Sequence, residues 1–345
     1  MDGNRAATVV GFVGALAVLG VLVWVVGVDR TLAALVTADP AVLVLVVAVA
    51  VVWLTAWGLA LWSVLGALGT PIARYLAVLV YAGAVFANNV TPFGQAGGEP
   101  LSALLISSAA DSEYETGLAA IASVDTAHFV PSVGYAIVGF TFVAAGAVQL
   151  GRNLVFAAAA VAALAIGLPV AAYLGWRYRY ELEATVVRLF TPFVRWLGRV
   201  APNRSPPTTD SIAARIESFF SAIDRIATDR RTLLQTLGFS ALGWAALSVS
   251  LWLSLYAVGY TIPAAVPLLV VPVGSIASLF PLPGGSGAIE TVLVTLLVST
   301  TSVPAAAATS AVLIHRGGTY LFPTLVGAGV ASALGADRAA AGGRK

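Results

Sequence analysis

The sequence predicts an all-α, polytopic membrane protein built as an inverted repeat with two re-entrant hairpins. Three observations carry that reading. First, 59% of the 345 residues are hydrophobic and 10% are charged, with a mean hydropathy of +0.94, whereas a soluble domain is about 25% charged. Second, the apolar stretches are continuous Ala/Val/Leu runs rather than the two-residue alternation of a barrel strand. Third, two of those runs are broken near their middles by matching Pro/Gly clusters. Such a composition excludes a water-soluble enzyme, and it excludes a disordered regulator, which needs low hydrophobicity and high charge. Cysteine is absent and histidine occurs twice, so no disulfide framework, zinc site or other cofactor is expected. No nucleic-acid partner is expected either.

A helix needs about 20 apolar residues to cross a bilayer. Residues 8–28 fit as a first span; the run is too long for a signal-peptide core. A second lies at 41–66 with Trp53, Trp57 and Trp62, and others at about 117–146, 154–176, 233–257 and 304–333. The runs 75–108 and 264–299 are too long for one crossing and are interrupted.

The stretch 177–232 is the one sizeable polar region, with ten arginines against six acids, which marks a cytoplasmic linker. Within it, Leu182, Val186, Leu189, Phe190, Phe193 and Leu197 fit a helix lying on the membrane surface. Ser205-Pro206-Pro207 breaks the chain. Asp210 can then cap a second amphipathic helix carrying Ile212, Ile216, Phe219, Ile223 and Ile226. If both broken runs enter and leave on one side, the termini and the linker all fall in the cytoplasm of a plasma-membrane protein. The whole chain then reads as one transmembrane domain, 1–345, with repeat one at about 41–146 and repeat two at about 233–333.

The repeat is written in the breaks. One reads Asn88-Asn89-Val90-Thr91-Pro92-Phe93-Gly94-Gln95-Ala96-Gly97-Gly98-Glu99, the other Phe280-Pro281-Leu282-Pro283-Gly284-Gly285-Ser286-Gly287-Ala288-Ile289-Glu290. Pro92 and Pro283 each stand seven residues before their glutamate. Asp125 and Arg316 each stand 26 after it, and Trp53 matches Trp244, all at an offset of 191. Under the topology above the halves are inverted. Interrupted helices meeting near the bilayer midplane are common among secondary transporters, because broken backbone must lie against protein or water. Glycine-rich helix starts also offer N–H groups to an anion.

NNVTPFGQAGGEP followed by an acid in the next span, and PLPGGSGAIE followed by HRGGTYLFP, resemble the membrane region of lysylphosphatidylglycerol synthase/flippase proteins over nearly the whole chain. The resemblance implies a flippase-like domain that moves a polar lipid between leaflets, with Glu99, Glu290, Asp125 and Arg316 at the family's charged motif positions. Relatives often carry an acid-arginine pair where this chain has Asp125-Thr126, and no polar region here is long enough for the soluble aminoacyl-transferase domain. Lysyl transfer is therefore not expected.

Ionisable residues inside a membrane suggest function by default. Glu99, Asp125, His128, Glu290, His315 and Arg316 are the candidates. Asp125 and His128 share a helix face. His315 and Arg316 are neighbours that point apart, so they cannot both face one cavity equally. Asp125 and Arg316 either form a salt bridge joining the halves or act as a gate and headgroup clamp. Each glutamate either caps its half-helix or serves the site beside Gly97, Gly98, Gly284 and Gly285, with Asn89 lining the cavity. No Gly-x-x-x-x-Gly-Lys-Ser/Thr loop is present, so transport would run down a gradient or couple to protons.

The substrate expected is an anionic phospholipid or a polyprenyl-phosphate-linked sugar. The competing readings are an integral-membrane lipid-modifying transferase using the carboxylates as acid and base, and a non-catalytic partner of a separate glycosyl- or aminoacyl-transferase.

Overall fold

The computed structural model describes residues 38–91, 94–146, 209–280 and 282–342, with scattered positions between 29 and 36 and between 159 and 178. The expected first span, most of the span at 154–176, the surface helix at 181–200 and the Ser205-Pro206-Pro207 break lie outside the described residues. Within them the chain is helical throughout: α1 (Pro40–Ala67), α2 (Arg74–Val90), α3 (Gly94–Ala109), α4 (Tyr114–Gly146), α5 (Thr209–Thr228), α6 (Arg230–Ala257), α7 (Ala265–Ser275), α8 (Ala288–Thr300), α9 (Ala305–Arg316) and α10 (Phe322–Gly342). No strand occurs among the described residues.

α1, α4 and α6 are long and apolar enough to cross a membrane. α1 starts where Asp39 accepts the Ala41 amide at 2.8 Å and Pro40 occupies the first turn. It has almost no polar side. Trp53, Leu54 and Leu61 are buried, yet Val44, Leu45, Val51 and Val52 are 43–69% exposed. A ridge of exposed Val and Leu is unfavourable in water and natural against lipid. α1 and α6 end alike: Gly69 and Gly259 take φ of +82° and +86°, and Thr70 and Tyr260 donate back to Leu65 and Leu255 at 3.0 Å.

The halves correspond element by element. Arg74 and Ala265, which open α2 and α7, are 191 residues apart, as are Tyr114 and Ala305, which open α4 and α9. Counterparts α1 and α6 pack against each other and run antiparallel. The Asp39 amide at the start of α1 donates to the Ala257 carbonyl at the end of α6 (3.0 Å), Trp57 Nε1 to the Ser240 carbonyl (3.3 Å), and Ser63 Oγ to Gln235 Oε1 (3.0 Å). An antiparallel crossing of equivalent helices makes the repeat an inverted one. The remaining contacts obey the same exchange: α2 packs on α10 and α7 on α4. Both contacts are glycine-close. A Cβ on Gly327 of α10 would fall 2.0 Å from the Ala82 carbonyl oxygen, and one on Gly139 of α4 would fall 2.4 Å from the Leu269 nitrogen.

The expected span at 304–333 is not one regular helix. α9 runs into a π turn at Gly317–Leu321 before α10 begins; paired glycines with poor helix propensity leave the ladder free to widen there. The amphipathic helix expected from Asp210 is α5. It buries Ala222 and Ile226 and packs on α4. It stops at Thr228 because Asp229 caps α6, accepting from the Arg231 amide (3.1 Å) and the Thr232 hydroxyl (2.5 Å).

Gly327→Ala is expected to lower the melting temperature of the purified protein, by roughly the 1–3 kcal/mol of an overpacked contact. Gly329→Ala, where a Cβ meets nothing within 4 Å, should leave it unchanged or raise it. The Thr232 hydroxyl holds the Asp229 carboxyl below its ordinary value. Its capping contribution is therefore present above about pH 4 and is lost as the pH falls through the depressed value. Protection of the Arg231 amide, measured against its intrinsic exchange rate at each pH, should fall only in acid, and should already be low at neutral pH in Asp229→Ala.

Candidate functional site

The second break is built by backbone geometry. Gly284, Gly285 and Gly287 take φ of +56°, +63° and +86°, which residues with a Cβ adopt only with strain. The turn they make presents two backbone groups. The Gly287 amide donates to Glu290 Oε2 at 2.5 Å, which starts α8, and the Gly284 carbonyl accepts from Arg316 Nη2 at 3.2 Å. Arg316 Nε meets Glu290 Oε1 at 2.6 Å. Its guanidinium also lies 4.5 Å over the Tyr320 ring. Glu290 thus caps its helix, as one of the two sequence readings had it, and also holds Arg316.

The first break is tied to this assembly. Asn89, at the end of α2, donates from Nδ2 to Thr324 Oγ1 at 2.7 Å, and Tyr320 returns its hydroxyl to the Asn89 carbonyl at 3.2 Å. Gly98 is a packing glycine, since a Cβ would strike Asn88 Oδ1 at 2.1 Å. Gly285 is likewise pressed on Ser278 and Ile289, and Gly97 is half-buried in α3. Of the expected site glycines only Gly284 lines the cavity.

That cavity has a volume of about 440 Å³. Asp125, His128, Asn88 and Asn89 from repeat one and Gly284, His315 and Arg316 from repeat two line it, around an aromatic wall of Trp53, Trp57, Tyr81 and Trp244. The aromatic wall is rigid: Trp57 stacks on His128 with ring centroids 3.9 Å apart and meets Trp244 edge-on at 5.7 Å. Trp244 Nε1 donates to the His128 carbonyl at 2.8 Å, and His128 Nδ1 shares a 2.8 Å bond with Ser240 Oγ. Several wall atoms have no protein partner: both Asp125 carboxyl oxygens, His128 Nε2, Asn88 Oδ1 and Trp53 Nε1. All are buried atoms, and a buried polar atom without a partner is an exception in a folded chain.

Two sequence readings change here. Asp125 and Arg316 face one cavity but form no ion pair; Arg316 is taken by Glu290 of its own repeat, because α8 and α9 are adjacent while Asp125 stands in the opposite half. His315 and Arg316 do both reach the cavity, His315 being fixed by Ser250 Oγ at 2.9 Å; the space is wide enough to touch both flanks of α9. Glu99 and Glu290 are not part of the wall. Sequence reasoning passed over Tyr320, Thr324, Ser240 and Ser250. Tyr320 was within reach, since it lies in the same HRGGTYLFP stretch as Arg316. Among the described residues, no three His, Asp or Glu side chains stand together as a metal site.

An inverted-repeat helical membrane protein with a mainly apolar, aromatic-walled cavity lined from both halves is the class these observations define. The chain belongs to the family described as the lysylphosphatidylglycerol synthase transmembrane region, whose model matches residues 9–327. It is 27% identical over 332 residues to a UPF0104 membrane protein of Methanothermobacter thermautotrophicus, covering 94% of this chain and 92% of that one. A UPF0104 membrane protein of Pyrococcus horikoshii is 23% identical over 315 residues, covering 89% and 91%.

Removing one member of the Glu290–Arg316 pair strands a buried charge, which costs ~3–5 kcal/mol. Arg316→Met should therefore destabilise the purified protein by about that much, and adding Glu290→Gln should restore most of the loss. Additive losses in that double-mutant cycle would mean the two side chains do not interact.

Proposed function

We propose that the protein moves a polar, phosphate-bearing lipid between the leaflets of the cell membrane, through the cavity between its two halves. The observation that carries this reading is the composition of the cavity wall. One flank presents the Arg316 guanidinium, backed by Glu290 and open enough to keep 14% of its side chain exposed, and the other carries Asp125, whose buried carboxyl oxygens have no hydrogen-bond partner. Arginine matches the geometry of a phosphate and keeps its charge at any working pH. The aromatic wall suits the less polar part of a headgroup.

The family membership supports a lipid-related role. The helix lengths support hairpins that return to the side they came from: the 13 residues of α8 extend about 20 Å, against a hydrocarbon core of about 30 Å. With those hairpins, both termini and the 177–232 linker fall on the cytoplasmic side. The cavity supplies a polar path for the headgroup while the acyl chains stay in lipid alongside, and the lipid leaves chemically unchanged. Anionic phospholipids and polyprenyl-phosphate-linked sugars share the phosphate this wall would recognise.

The test is a proteoliposome of phosphatidylglycerol and phosphatidylethanolamine with a trace of fluorescent phosphatidylglycerol, in which an impermeant reductant reports the outer-leaflet fraction over time. The intact protein should accelerate leaflet exchange. Arg316→Lys and Glu290→Gln should each slow it by about tenfold or more, the effect of losing one good charge-assisted contact, and Glu99→Gln should slow it as well. Exchange that is unchanged in all three variants, or chemically altered lipid recovered from the vesicles, would overturn the proposal.

A further inference from the structure

The inverted repeat makes two equivalent sets of residues around the cavity, and they are finished differently. Phe129 on α4 is equivalent to Tyr320 at the offset of 191, Val133 to Thr324, and Leu279 and Phe280 of the second break to Asn88 and Asn89 of the first. In one set Tyr320 donates its hydroxyl to the Asn89 carbonyl at 3.2 Å, and Asn89 Nδ2 donates to Thr324 Oγ1 at 2.7 Å. These bonds tie the first break to the start of α10. In the other set Phe129, Val133, Leu279 and Phe280 have no side-chain donor or acceptor with which to make such a tie. That side is open. Phe129 is 42% and Leu279 79% exposed, and among the described residues that line the cavity no others are exposed.

The depth of this opening follows from helix lengths. α4 has 33 residues, of which about 20 cross the hydrocarbon. Whichever consecutive 20 are chosen, Phe129 is among them. The 11 residues of α7 and the four of the 3₁₀ turn after it, Ile276–Leu279, reach about 25 Å, against a core of about 30 Å. A chain that enters at Ala265 therefore still has Leu279 within the hydrocarbon. Val130 and Phe280, beside the two lip residues, are exposed as well, a large apolar surface that suits lipid and not water.

We infer that this open side is a lateral mouth, through which an acyl chain of a membrane lipid enters the cavity while the phosphate lies toward Arg316. A lipid held at Arg316 has to run its chains outward past a lip that hydrocarbon wets, and Phe129 and Leu279 form that lip. Passage of the lipid to the other leaflet rests on the translocation reading; the mouth itself does not.

The test uses the full-length protein in vesicles of phosphatidylglycerol and phosphatidylethanolamine. A trace of phosphatidylglycerol carries a diazirine midway along one acyl chain, and adducts formed on illumination are mapped by mass spectrometry. They are expected on Phe129 and Leu279, and also on Ser132 and Leu293, buried wall residues that lipid outside the protein does not touch. Leu279→Trp should remove the Ser132 and Leu293 adducts. Leu279→Ala should keep them, as should Leu325→Trp, at a 74% exposed position outside the cavity wall. Adducts confined to outward-facing residues, or wall adducts indifferent to Leu279→Trp, overturn the mouth. So does a covalent dimer of the single-cysteine variant Leu279→Cys under oxidation, since a second copy would then cover the opening; the parent chain has no cysteine. Leaflet exchange of fluorescent phosphatidylglycerol should fall several-fold in Leu279→Trp. Exchange at the parent rate in that variant overturns the mouth as the route of transport. Absence of exchange in the parent protein removes the translocation reading and leaves the adducts to judge the mouth.

Discussion

The Glu290 carboxylate is the group on which the second half depends. One oxygen satisfies the Gly287 amide at the start of α8 and the other holds Arg316. Both partners would otherwise be costly, since a backbone donor and a guanidinium without partners are unfavourable away from water. Arg316 in turn closes on the Gly284 carbonyl and rests on Tyr320. The hydroxyl of Tyr320 reaches Asn89 in the other half. A chain of contacts thus runs from a glycine turn in one repeat to the end of α2 in the other, and every member is a group that hydrocarbon cannot satisfy.

The aromatic centre follows from the same two-fold arrangement. Because α1 and α6 are counterparts crossing antiparallel, the residues near their crossing come in matched sets, and Trp53 and Trp244 are one such set. Gly243 leaves room for the Trp57 indole, which a Cβ would meet at 2.0 Å. The indoles lock one another and His128 in place, so the wall has a fixed shape. The departures from symmetry then fall on the charged residues and on the π turn, where a specific chemistry has replaced a shared scaffold.

Much of this was legible in the chain. The apolar length of α1, α4 and α6 and the Pro/Gly breaks set the helices, because hydrocarbon permits few other backbone states. The offset of 191 located the equivalent residues. It did not locate their contacts: matching Asp125 to Arg316 suggested that they meet, whereas Arg316 meets Glu290 beside it in the same half. Equivalence under a repeat says where a residue stands, and neighbouring short helices decide what it touches. The π turn was hidden because Gly317-Gly318 reads as a weak stretch of ordinary helix. Ser240 and Ser250 were hidden because a serine on an apolar helix gives no sign of the histidine it will meet.

The exchange of packing between halves bears on how the chain is made. α2 completes its surface only with α10, and α4 only with α7. Neither half therefore owns a finished interior. At about 5–20 residues per second of synthesis, α2 and α4 wait on the order of 10–50 s for α10 and α7, which begin 248 and 151 residues after them. Throughout that interval the small-residue face of α4 and the polar end of α2 lack the contacts they make in the finished chain.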